Sequence, residues 1–427
     1  MTEQSTATDA TDATDASAVA AGIDGRVFQA ITLSIQPDGD DFLVGDVELG
    51  EFYQFPKIAV LIMAQLRDGA TIAEIRASIG SEGAAFDVTE FVETLVDIGF
   101  VYERGGQPVV ATPTGASASR WTLFRTRPRW VRALFSWPVL VLYIGVIIVA
   151  IACAVRYPQA RLDPGGFFIE SDFTVTLLLL LAMSSVASAM HEAGHVLAAA
   201  RWGIASRLGI GTRLWSIVAE ADISGILSLP KRQRYLPLSA GMLVDVFNIG
   251  VLTIVVSGLV RAGGHSFAVN LLQALVLQIT VTLIWQFNIF LRTDVYFLLC
   301  TWLNQPDLDR DARLYLAGWR TRIALGLGRR RVPPPEVRYR SISTVRWFAA
   351  VWLIGRVLAV AMLLGVFLPT MIRYGLKAYH LAVGPKGSIG SAIDIATFVL
   401  LSVLLVAVGM VMWFRQRGIV RQSEVRL

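Results

Sequence analysis

The sequence predicts a polytopic α-helical membrane protein of about six transmembrane helices, preceded by a small α+β cytoplasmic domain. Two features carry this reading. Hydrophobic residues make up 54% of the 427 and charged residues only 17%, a balance too apolar for an ordinary soluble chain of this length. The apolar residues are also gathered into bilayer-length stretches, all after residue 135, whereas residues 26–105 alternate short strand-like and helical patterns.

Residues 1–25 carry an Ala-Thr-Asp repeat over 7–16 and almost nothing large to bury, so they are expected to be a disordered tail. The small domain follows over residues 26–105. Phe42-Leu43-Val44, a turn around Leu49-Gly50 and Phe52-Tyr53-Gln54-Phe55 read as a hairpin. Pro56 opens a helix with Ile58, Val60, Leu61, Ile62, Met63 and Leu66 to bury. Thr71 with Glu74 fits a capping box for a second helix over 71–79. Asp87 caps a third, with Phe91, Leu95 and Ile98 at helical spacing, and Gly99 ends it before a strand over 100–102.

A basic linker, 106–135, leads to apolar stretches at 138–155, 173–200, 236–260, 267–290, 347–372 and 391–414. Residues 136–303 form the core of spans one to four, 304–346 a basic cytoplasmic loop, 347–414 spans five and six, and 415–427 a tail. The stretch 288–303 either ends the fourth span or re-enters. No secretory signal peptide is expected, because a long polar region precedes the first apolar run.

Orientation follows from the basic residues. Arg120, Arg125, Arg127, Arg129 and Arg132 precede span one, and Arg201, Arg207, Lys231, Arg232 and Arg234 separate spans two and three. A dense basic run over 310–346 and the terminal Arg415, Arg417 and Arg421 complete the cytoplasmic side, so both termini are expected inside. The loops 156–172, 261–266 and 373–390 are poorer in positive charge; His265 and His380 are expected on these outer surfaces. The net charge of +5 therefore reflects topology and contact with anionic lipid of the bilayer, not nucleic-acid binding. Asp87, Glu90, Glu93 and Asp97 on the third N-terminal helix would repel phosphate as well. Cys153 and Cys300, isolated in apolar segments, read as packing residues.

The chemistry is concentrated at His191-Glu192-Ala193-Gly194-His195, which uses two of the four histidines. On a helix His191 and His195 lie one turn apart on one face, able to ligate one Zn²⁺, with Glu192 beside them as general base. The alternative is a pair of buried histidines satisfied by backbone carbonyls. Catalytic zinc usually takes a third protein ligand, and Asp294, at the cytoplasmic end of span four, lies at a depth similar to that of His195. Asp245 in span three and Arg356 in span five each cost about 2.5–3.5 kcal/mol at the bilayer centre and are expected to pair. The other readings make Asp245 a substitute zinc ligand and Arg356 an oxyanion stabiliser. Glu220 and Asp222 lie in a strand-like stretch, 208–224, that would present substrate along its edge; the two carboxylates are expected to be solvated.

Three features together, the HExxH span, Asp222-Ile223-Ser224-Gly225 followed by Leu229-Pro230-Lys231-Arg232-Gln233-Arg234, and Ala240-Gly241 with the 288–294 segment, resemble the site-2-protease-type intramembrane zinc metalloproteases. The likeness is closest to the bacterial peptide zinc metalloprotease branch and covers roughly residues 173–313. The resemblance implies that His191, His195 and Asp294 bind zinc, that Glu192 is the general base and that Asn288 positions the scissile peptide. It also implies a bacterial inner membrane. This chain departs from the family's Asn-Pro and Asp-Gly with Asn288-Ile289 and Asp294-Val295, and has Met242 after Ala240-Gly241 where the family prefers Pro. Val resists backbone conformations open to Gly, so the turn around Asp294 is expected to differ.

Gly50-Glu51-Phe52-Tyr53-Gln54-Phe55, residues 66–69, Thr71-Ile72-Ala73-Glu74-Ile75 and residues 91–100 resemble a PqqD-like domain, a winged-helix-like module that recognises leader peptides of ribosomally made, modified peptides. The resemblance implies that an extended peptide pairs with the exposed strand of the hairpin. A plain winged-helix fold that binds another protein or steadies the membrane part is the alternative. Together these point to a zinc endopeptidase acting on a peptide precursor, with peptide-modifying enzymes or a transporter as further partners. Two other readings stand beside it. One is a non-catalytic membrane binding, export or immunity component. The other is intramembrane cleavage of a signalling protein, which the absence of a recognisable PDZ-like segment disfavours.

Overall fold

The structure, a computed structural model, describes residues 26–47, 51–80, 86–104, 121–123, 129–161, 173–213, 216–263, 267–305, 307–326, 341–362, scattered positions between 364 and 379, and 389–424. The expected tail 1–25, the turn at Leu49-Gly50, most of the linker 106–135, the stretch 327–340 of the basic loop, and His265 and His380 lie outside the described residues. The chain divides into two compact units, residues 1–118 with 224–232, and residues 119–223 with 233–427.

In the first unit, β1 (Phe28–Ala30) pairs antiparallel with β5 (Val101–Glu103). Strands β2 (Ser34–Asp38), β3 (Asp41–Asp46) and β4 (Glu51–Pro56) form an antiparallel meander with β3 in the centre. The expected hairpin is β3–β4, with Phe42 opposite Phe55 and Val44 opposite Tyr53. Three helices follow: α1 (Lys57–Arg67), capped at Pro56, α2 (Ile72–Ile79) and α3 (Val88–Asp97). The Thr71–Glu74 capping box is formed on both sides, and the Asp87 side chain accepts from the N–H groups of Thr89 and Glu90. Gly99 takes φ 75°, the left-handed turn that lets the chain leave α3 for β5. Ile62, Leu66, Ile72, Ile75, Leu95 and Phe100, all fully buried, form the core. A 3₁₀ turn, Ser224–Ser228, packs on the β2–β4 meander within this unit. The last strand lies one residue later than expected, and β1 and β2 were not expected at all.

Among the described residues six helices are long and apolar enough to cross a membrane. They are α5 (Trp137–Arg156), α6 (Phe173–Ala200), α7 (Lys231–Arg261), α8 (Phe267–Trp285), α11 (Ile342–Met362) and α12 (Ile389–Glu424). Shorter helices among the described residues include α4 (Arg129–Leu134), α9 (Asp294–Leu303) and α10 (Leu308–Gly326). A sheet of β6 (Trp121–Leu123), β7 (Ser206–Arg213) and β8 (Ser216–Asp222) has β7 central and β8 at an edge.

Helix α6 is fixed at its start by Asp394 of α12, whose carboxylate accepts the otherwise orphaned N–H groups of Phe173 (2.7 Å) and Thr174 (3.0 Å). Its second half is small-residue-rich and buried, at Gly194, Ala198, Ala199 and Ala200. There α7 comes close: a Cβ built on Gly194 would fall 2.9 Å from the carbonyl oxygen of Ala240. Helices α5 and α7 are joined by the Tyr143 hydroxyl, which donates to the Leu243 carbonyl (3.1 Å), and by the stacked rings of Tyr143 and Phe247.

The fourth span is shorter than the apolar run suggests. Helix α8 stops at Trp285, a 3₁₀ turn occupies Ile289–Leu291, and α9 begins at Asp294, so 288–303 neither prolongs α8 nor forms one uninterrupted helix. Arg292 takes the left-handed conformation at φ 55° to make the reversal. The Phe290 ring rests where a Cβ on Gly355 of α11 would be, which holds the turn against that helix.

Candidate metal centre

The two imidazoles project from one face of α6, as the spacing of four requires, and both are buried. Asp294, the first residue of α9, meets them. His191 Nε2 lies 3.1 Å from Asp294 Oδ2, His195 Nε2 lies 3.3 Å from the same oxygen, and the two Nε2 atoms are 3.2 Å apart. Three ligand atoms on a tetrahedral zinc with bonds of about 2.0 Å would be about 3.3 Å from one another, so the triangle has the size that zinc requires.

Protonation follows from the other ring nitrogens. His195 Nδ1 is 2.7 Å from the Pro237 carbonyl oxygen, which can only accept, so this nitrogen carries a proton and, in the neutral ring, Nε2 presents a lone pair. His191 Nδ1 is 2.7 Å from Asp245 Oδ2 and likewise donates. Two lone pairs and a carboxylate oxygen thus converge. One proton can relieve a single edge of that triangle, whereas a divalent ion at its centre satisfies all three members.

Space for the ion comes from α7. A Cβ built on Gly241 would collide with both Nε2 atoms, falling 2.5 Å from that of His191. The absence of a side chain there lets the α7 backbone approach both Nε2 atoms without a carbon crowding them. The donor set of two imidazoles and a carboxylate, with this cradle, fits a zinc ion.

Asp294 is placed by groups that the sequence reading did not single out. Gln286 is buried; its side-chain oxygen accepts from the Asp294 N–H (3.2 Å) and its backbone carbonyl accepts from the Thr293 hydroxyl (2.5 Å). Beyond the turn, Arg292 pairs with Asp307 at 2.5 Å. Tyr296 donates to Asp307 (3.1 Å) and accepts from the Asp309 N–H (3.0 Å), and burial pushes its phenol far above the ordinary range, keeping it a donor. Asp309, buried, in turn accepts from Arg313 and from the Trp352 indole N–H (3.0 Å). Val295 is an ordinary helical residue here, and the left-handed position of the turn is Arg292.

Glu192 is half-buried, and its Oε2 accepts from the Ala221 N–H of β8 at 2.9 Å. The edge strand therefore passes directly beside the carboxylate that follows His191 in sequence. Glu220 is exposed. Asn288 lies half-buried in the break after α8, its N–H donating to the Trp285 carbonyl (3.0 Å) and its own carbonyl accepting from Leu291 (2.9 Å). These bonds place its backbone in the turn that leads to Asp294.

The expected Asp245–Arg356 pair is not what the structure contains. Asp245 is bonded to His191, and the Arg356 guanidinium lies 4.5 Å from the centroid of the Trp352 ring, one turn earlier on α11, on an exposed face. The local aromatic partner satisfies the cation, while the buried carboxylate finds the imidazole that can donate to it. Asp245 is not a substitute ligand either, since it occupies the nitrogen of His191 that faces away from Asp294. Cys300 is buried in the α9–α10–α11 core and Cys153 is half-buried on α5; both are free thiols.

Comparison with protein-family profiles, with curated proteins and with solved structures returns no match for this chain.

Proposed function

We propose that the chain is a membrane-embedded zinc endopeptidase of the site-2-protease type that cleaves a peptide precursor. The observation that carries this reading is the His191–His195–Asp294 triangle, with a carboxylate one residue from its first member. His191, His195 and Asp294 would hold the ion. A zinc ion bound there supplies Lewis acidity toward a carbonyl and toward water.

The chain's own residues do the rest. Glu192, held by the Ala221 N–H, accepts the proton of the attacking water and returns it to the leaving amine, the role that its position beside the ligands favours. An extended peptide added along the edge of β8 runs past Glu192, so main-chain bonds to the strand would bring a scissile bond to the carboxylate whatever the side chains. Asn288 would position that peptide. Residues 26–105 act as a PqqD-like docking module, and tethering the precursor in this way raises its local concentration at the site. The six apolar helices support a reaction in a bilayer, and the bias of basic residues favours both termini on the cytoplasmic side of a bacterial inner membrane, with peptide-modifying enzymes or a transporter as the proposed neighbours.

The test is metal content of the detergent-purified chain beside that of His195→Ala and Asp294→Ala. About one zinc per chain in the wild type, lost in both variants, is expected. A precursor peptide should then be cut by the wild type and left intact by Glu192→Gln with its zinc retained. Wild type without zinc, or Glu192→Gln with full activity, would overturn the reading.

A further inference from the structure

Helix α7 contributes a stripe of its own. Pro237, Gly241 and Asp245 recur every four residues and so share one face, matching the spacing of His191 and His195 on α6. The correspondence runs in reverse order: the Pro237 carbonyl meets His195, Asp245 meets His191, and Gly241 lies between them against both Nε2 atoms. Neither Pro237 nor Asp245 reaches the nitrogens that face Asp294.

We propose that Asp245 is the positioning residue of the centre, holding His191 as the Nδ1–H tautomer so that its Nε2 lone pair is aimed at the position shared with His195 and Asp294. The inference rests on the zinc reading above. Asp245 is only 3% exposed and lies within an apolar helix, where a carboxylate without a strong donor is unstable. Its 2.7 Å contact holds the His191 ring from behind by a side-chain carboxylate, where His195 has only a backbone carbonyl.

Zinc affinity of the full-length, detergent-purified chain, measured by competition with a chelator, tests this. Asp245→Asn should bind zinc about 10- to 100-fold more weakly than the wild type. Nitrogen-15 labelling of histidine gives a readout that needs no Asp245 variant: with four histidines in the chain, His191 can be assigned and should show a protonated Nδ1 and a metal-bound Nε2. Unchanged affinity in Asp245→Asn, or coordination of His191 through Nδ1, would each overturn the proposal while leaving the zinc centre standing. A wild type that binds no zinc would remove the centre itself, and this role with it.

Discussion

Replacing Gly241 by Ala puts a methyl group where the ion has to be reached. The added Cβ falls 2.5 Å from His191 Nε2, where ordinary contact begins at 3.4 Å, so the ring or the helix has to yield by about 0.9 Å. Ligand positions in a metal site tolerate only about 0.2 Å. The displacement exceeds that several times over, and it acts on two ligands at once because the same Cβ also meets His195 Nε2. Outer-shell changes that move no ligand cost about 10- to 100-fold in affinity; a moved pair should cost at least the upper figure, about 100-fold or more. Overpacking adds about 1–3 kcal/mol of destabilisation. The assay is chelator competition on purified Gly241→Ala, with Gly250→Ala on the same helix as control. There the added Cβ meets only side-chain ends of Ile147 and Val146, at 3.2 and 3.3 Å, which can give way, and affinity should stay within about twofold of wild type. Wild-type affinity in Gly241→Ala would refute the argument, because an ion held by both Nε2 atoms has to feel the displacement that the methyl group forces on them.

Two further outcomes follow from the same geometry. Gln286→Leu removes the side-chain acceptor of the Asp294 N–H while keeping the volume, and should weaken zinc binding about tenfold, measured by the same competition. In the N-terminal unit, Thr71→Ala removes the hydroxyl that accepts from the Glu74 N–H and should cost about 1 kcal/mol, seen in the intact chain as roughly fivefold faster hydrogen exchange in the first turn of α2. The reciprocal bond is pH-dependent: the Thr71 backbone N–H and then its side chain hold the Glu74 carboxyl below its ordinary 4.5. A depressed carboxyl contributes stability that is complete above 4.5 and lost as pH falls through the lowered value, so protection of the Thr71 amide should fade only on the acid side of 4.5. Fading that begins well above 4.5 would mean that Glu74 does not carry it.

Several elements were legible because their signals are local. Span length is a property of one continuous run, which is why the six apolar stretches recur as helices α5 to α8, α11 and α12, with ends that differ by up to about ten residues. The caps at Thr71 and Asp87 are read from residues three apart at most. Strand β2, Ser34-Ile35-Gln36-Pro37-Asp38, escaped notice because Pro37 argues against a strand; it is tolerated since β2 lies at the edge of its meander, where an N–H on the open side is not needed. The fourth span was read too long because hydrophobicity continues through Phe287, Ile289, Phe290 and Leu291 past the point where α8 ends. Apolar composition reports burial in lipid or protein without distinguishing a helix from a turn packed on one.

The site divides along the same line. His191, Glu192 and His195 are one helical turn, and sequence alone could place them together. Asp294 was reached by depth, a coarser argument that the 3.1 and 3.3 Å contacts agree with. Asp245 went to the wrong partner because two isolated charges in apolar helices invite pairing by sign, whereas the structure joins groups by donor and acceptor across the α6–α7 crossing, 54 residues apart in sequence. Arg356 had its true partner four residues away in Trp352, at the spacing that stacks a guanidinium on a ring along a helix. A pattern that sequence could have yielded was the repeat of four in Pro237, Gly241 and Asp245 set against the repeat of four in His191 and His195. Two helices that carry matched periods of one turn can meet along both stripes, and a Gly in the middle of one stripe marks where something other than a side chain has to fit.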